Sequence, residues 1–155
     1  MIDYSRLHRS QEHFERFNYQ RIETPWTVTE SVSNITKPEN VNNWEISNKN
    51  KVLVGSGEQG FLYLYLKGFL PKGKFSTITP CFRDEKFDET HTKYFMKNEL
   101  IITDDVTEES LECIISEAKQ FFEKELESTI DTIKTEDGYD LMCGGIELGS
   151  YGIRS

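Results

Sequence analysis

The sequence predicts an α+β domain with a mostly antiparallel sheet flanked by helices. Three observations carry that prediction. Two β-rich runs, Lys74 to Phe82 and Lys97 to Thr103, are joined by a charged loop from Asp84 to Thr92, which makes a long antiparallel hairpin. After it comes one strongly amphipathic helix, whose apolar stripe is Leu111, Ile114, Ile115, Ala118, Phe121, Phe122 and Leu126. A returning strand, Tyr139 to Ile146, closes the series. A long hairpin, a single covering helix and a returning strand give an α+β domain with a mostly antiparallel sheet.

The remaining elements follow in chain order. Ser5 to Asn18 reads as a helix with Leu7, Phe14 and Phe17 on one face. Arg21 to Thr24 should be extended, because Pro25 disfavours a helical residue before it. Ser31 to Asn50 is polar, Asn-rich and holds Pro38, so it reads as a loop. Lys51 to Val54 is a short strand, Gly60 to Phe69 a helix, and Pro71-Lys72-Gly73 a turn. Asp105 or Thr107 caps the amphipathic helix, with Glu108 three residues after Asp105 as a capping box requires. Lys134 to Gly138 is a polar turn, and Glu147 to Ser155 a glycine-containing end.

Composition sets the limits. The 155 residues fit one domain, 1–155, with a core drawn from 36% hydrophobic and 12% aromatic residues. A net charge of -9 argues against a broad nucleic-acid surface, which needs cations to displace counterions. A small basic pocket for a nucleotide stays compatible with it. No window is apolar enough for a membrane span, and the start, Met1-Ile2-Asp3-Tyr4, lacks a signal peptide's regions. Cys81, Cys113 and Cys143 lie far apart, read as three small core residues, and suit a reducing cytoplasm. His8, His13 and His91 form no ligand cluster with them, and His8 and His13 are expected on exposed helix faces. Gly55-Ser56-Gly57 is too short for a Walker loop.

The chemistry sits in the hairpin. Arg83 and Glu85 share a parity on one strand, and Phe95 and Glu99 share one on the other, so all four can converge on one sheet face. That set suits a nucleotide: Arg on a phosphate, Phe against a base, carboxylates on an amine or metal. His91 lies in the connecting loop, where it can close over phosphates. The bland alternative is a solvated hairpin with cross-strand ion pairs.

Phe82-Arg83-Asp84-Glu85, a loop and the downstream Phe95 resemble motif 2 of the class II aminoacyl-tRNA synthetases. Pro80-Cys81 and Phe95-Met96-Lys97-Asn98-Glu99 look most like the aspartyl and asparaginyl branch. The resemblance implies that Arg83 binds the ATP α-phosphate and the amino-acid carboxylate, and that Glu85 contacts the adenine amino group. It implies His91 at the γ-phosphate, where aspartyl enzymes usually carry Arg, and Phe95 stacked on adenine. Phe17 to Pro25 resembles motif 1, which implies a homodimer; read alone, it is an ordinary helix-to-strand connection. Lys51 to Phe61 resembles the segment whose Ser and Gln, here Ser56 and Gln59, help hold the amino acid together with Glu99; read alone, it is a strand and a tight turn. Asp140 to Arg154 looks like the strand DLxxxGxELGxGxxR of aspartyl-type enzymes. That match implies Glu147 supporting ATP through Mg²⁺ and Arg154 reading the amino-acid side chain. The alternatives are a motif 3 assignment for Arg154 and a plain charged strand end.

The resemblance runs from about Phe14 to Arg154 and, on the preferred alignment, includes neither motif 3 nor an anticodon-binding domain. Two functions follow as expectations. One is a stand-alone ATP-dependent ligase that binds ATP, Mg²⁺ and an aspartate- or asparagine-like amino acid, with tRNA binding in doubt. The other is a non-catalytic nucleotide- or amino-acid-binding homodimer; a structural dimer or a decaying synthetase fragment is the third reading.

Overall fold

The structure is a computed structural model and describes residues 1–39, 41–47, 49–84 and 94–154. The chain divides into two compact units, Met1–Ile102 and Thr103–Ser155.

In the first unit, α1 spans Tyr4–Glu15, and the Asp3 carboxylate accepts from Arg6 N–H at 2.9 Å to start it. It stops short of the expected Asn18, because Asn18 takes φ 67 and turns the chain away from the helix. Of the expected face, Phe14 is buried while Leu7 and Phe17 are half-buried, and Ser10 and Gln11 are buried beside them. Asn98 Nδ2 donates to Ser10 Oγ at 2.8 Å, so the helix meets the sheet through a polar seam. His8 is exposed as expected, but His13 is half-buried, edge-on to Phe14 and Phe17 at 5.2 Å each.

Next come β1 (Gln20–Arg21), β2 (Thr27–Thr29), α2 (Glu30–Ser33), β3 (Glu45–Ile46), β4 (Lys51–Leu53), α3 (Gly57–Leu66), β5 (Lys74–Phe82) and β6 (Tyr94–Ile102). The expected loop from Ser31 therefore begins inside α2 and contains β3. Thr29 caps α2, and Val32 packs with Val28, Val52 and Val54. The third helix starts three residues earlier than expected. Gly60 lies inside it, because Thr24 and Pro25 pass so close that a Cβ there would stand 2.8 Å from Thr24 Cβ.

β5 and β6 pair antiparallel without interruption from Lys74↔Ile102 to Phe82↔Tyr94, as the hairpin pattern predicts. β1 joins β5 in parallel, giving the order β1-β5-β6, and a second sheet has the order β2-β4-β3. Contacts put α1 against β5 and β6, with Ser10 meeting Asn98. They put α3 against the same two strands, with Gly57 over Glu99. Asn98 and Glu99 point to opposite faces, so the two helices flank the sheet. Phe61, Leu70 and Phe75 form the apolar core under α3.

In the second unit, α4 (Glu108–Leu126) packs on a three-stranded antiparallel sheet, β7 (Asp131–Lys134), β8 (Tyr139–Cys143) and β9 (Ile146–Tyr151). The capping box is Thr107 with Ser110, not Asp105 with Glu108; Asp105 instead takes φ 52. The expected stripe is buried at Leu111, Ile114, Ile115, Ala118 and Phe121, and half-buried at Phe122 and Leu126. The expected final strand is in fact two. Gly144 and Gly145, at φ 57 and 81, form a two-residue hairpin turn between Cys143 and Ile146. Both positions need positive φ, which glycine adopts without steric cost. β7 goes beyond the sequence reading, which placed a turn from Lys134. Of the three cysteines expected in the core, Cys81 is buried, but Cys143 is half-buried and Cys113 is exposed, all as free thiols.

Leu141 is fully buried at the centre of this small sheet. Leu141→Ala should cost roughly 2–5 kcal/mol in urea denaturation, whereas Gly144→Asn, which tolerates the left-handed region, should cost under about 1 kcal/mol.

Candidate functional site

The uninterrupted β5–β6 register decides which side chains share a face. Thr77, Thr79 and Cys81 lie opposite Glu99, Lys97 and Phe95, and directly paired residues point the same way. Arg83 follows β5 with the same parity. Its guanidinium carbon stands 5.3 Å from the Phe95 ring centroid, a cation–π contact. Its Nε donates to Gly55 O at 3.1 Å. The structure thus brings together Arg83, Phe95 and Glu99 as parity predicted. Glu85 and His91 lie outside the described residues.

Ser56 and Gln59 reach this face through α3. Gly57 sits so close to the sheet that a Cβ there would be 2.5 Å from Glu99 Cβ and 2.7 Å from Thr79 Cγ2. Only glycine lets the first turn of the helix rest on the strands. Ser56 is the N-cap residue but makes no side-chain cap bond, and its buried Oγ meets no hydrogen-bond partner among the described residues. Gln59 is buried, and both ends of its amide are committed: Oε1 accepts from Gly55 N–H at 2.8 Å, and Nε2 donates to Ser33 O at 3.3 Å. It fixes the backbone whose carbonyl holds Arg83.

Sequence reasoning gave two neighbours no role in the chemistry of this face. Lys97, between Phe95 and Glu99, holds its ammonium 3.2 Å from Glu99 Oε2. The Glu99 carboxylate raises the Lys97 pKa, outweighing the opposing effect of burial. Burial pushes the Cys81 thiol up to about 11, against the influence of Lys97, Arg83 and the Gly57 N–H that bonds it. The parity that selected Phe95 and Glu99 also selects Lys97, so the signal was available. The same alternation on β5 groups Cys81 with Arg83.

Glu147 and Arg154 belong to the second unit. Glu147 is exposed on β9, and Arg154 is exposed beyond its end. Among the described residues, no group of three or more His, Cys, Asp or Glu side chains is placed to hold a metal ion. None of the described helices is long and apolar enough to cross a membrane. A cleft of about 410 Å³ opens among Gln11, Arg21, Ile22, Glu23 and Ile78, away from the Arg83–Phe95 contact.

No family profile and no curated protein sequence matches the chain. Solved structures match it in shape. A pyrrolysyl-tRNA synthetase from Desulfitobacterium hafniense superposes with TM-score 0.73 at 19% identity, over 94% of this chain and 56% of that one. A prolyl-tRNA synthetase from Cryptosporidium parvum, complexed with halofuginone and AMPPNP, gives 0.68 at 15% identity over 89% and 33%. A seryl-tRNA synthetase from Pyrococcus horikoshii, complexed with ATP, gives 0.69 at 17% over 84% and 35%. The chain has the fold of a class II-type aminoacyl-tRNA synthetase catalytic domain. It spans about half the length of the pyrrolysyl enzyme and about a third of the other two.

The raised Cys81 pKa has a sign. An unfolded thiol ionises near about 8.5 while the folded one keeps its proton to about 11, so the native state binds more protons in between. Stability should therefore fall as pH rises through that window, by roughly 3 kcal/mol at most. Urea denaturation at pH 8 and pH 11 should show the wild type losing that much more than Cys81→Ala.

Proposed function

We propose that the chain is a class II synthetase-like ligase that activates a small amino acid with ATP. The carboxylate oxygen attacks the α-phosphorus, the bond to the bridging β-phosphate oxygen breaks, and pyrophosphate leaves with the electron pair. No protein nucleophile is required, so catalysis is positioning and charge neutralisation. The observation that supports this most is Arg83, held by Gly55 O and by the Phe95 ring beside the α3 N-terminus. A guanidinium is a planar fork of donors, which suits a phosphate or carboxylate.

The finer roles rest on the sequence resemblance. Arg83 would meet the α-phosphate, Glu85 the adenine amino group, His91 the γ-phosphate and Phe95 the adenine face. Ser56, Gln59 and Glu99 would hold the amino acid, and Arg154 its side chain, with aspartate or asparagine the best fit to that Arg. Glu147 would support the Mg²⁺ that accompanies ATP and offsets phosphate charge. A homodimer through the segment from Phe17 to Pro25 belongs to the same reading, and sedimentation would test it.

A second reading is a non-catalytic nucleotide- or amino-acid-binding homodimer. One observation favours it: the Gln59 amide is taken up by Gly55 and Ser33, leaving fewer donors for an amino acid.

Pyrophosphate–ATP exchange separates the two. The first reading expects exchange that depends on one added amino acid, and Arg83→Ala should lower it by about 10²–10³. Binding of ATP in calorimetry without exchange for any of the twenty amino acids supports the second reading. Binding of neither ATP nor any amino acid at millimolar concentration sinks both.

A further inference from the structure

We draw no further inference here: the strongest candidate, the cleft of about 410 Å³ among α1, β1 and β5, lined by Gln11, Arg21, Ile22, Glu23 and Ile78, takes three of its walls from the segment already proposed as the homodimer contact, and nothing in the structure shows what covers it.

Discussion

A buried amide holds the candidate site together. Gln59 Oε1 accepts from Gly55 N–H, Gln59 Nε2 donates to Ser33 O, and the Gly55 carbonyl in turn accepts from Arg83 Nε. These three bonds link the end of α2, the turn before α3 and the end of β5. The same turn is fixed from the sheet side, where Phe82 N–H donates to Val54 O at 2.8 Å. Gln59 is 3% exposed, so its amide cannot fall back on water, and the loss of either partner would leave a buried polar group unsatisfied. Arg83 is therefore tied, through the Gly55 carbonyl, to a buried amide.

The two faces of the β1-β5-β6 sheet are finished differently. The α3 side combines an apolar end, Phe61, Leu70 and Phe75, with a polar end, Cys81, Lys97 and Glu99. The change occurs where Gly57 lets the helix touch the strands, so the helix N-terminus lies at the boundary. The α1 side uses a hydrogen-bonded seam, Ser10 to Asn98, beside Phe14. A polar seam costs little when its groups are paired, and it fixes one relative placement where a purely apolar contact tolerates sliding.

What was legible in the sequence follows from how far each signal reaches. The hairpin could be read because alternation has a period of two and fixes a face along a whole strand, so Arg83, Phe95 and Glu99 could be grouped before any coordinates. The stripe of α4 could be read for the same reason at a period of 3.6. The inward face of α1 could not be read fully, because Ser10 and Gln11 are polar, and the partner of Ser10, Asn98, lies far along the chain. The hairpin at Gly144-Gly145 was hidden inside a run matched as one strand, although two adjacent glycines are a turn signal. Gln59 was singled out from the resemblance as an amino-acid ligand; its bonds to Gly55 and Ser33 depend on tertiary contacts that no local pattern encodes.

Charge completes the account. A chain of net charge -9 repels anions at long range, so an anion site needs a local reversal of sign. Arg83 and Lys97 contribute positive charge to this face, and Cys81 lies within their electrostatic reach. An ionised thiolate there would oppose them with a further negative charge. Burial keeps that thiol protonated up to about 11, even with two cations and the Gly57 N–H pulling the other way. The burial of Cys81 on this face thus does electrostatic work. It holds the thiol of this face neutral, so that Arg83 and Lys97 do not face a thiolate there.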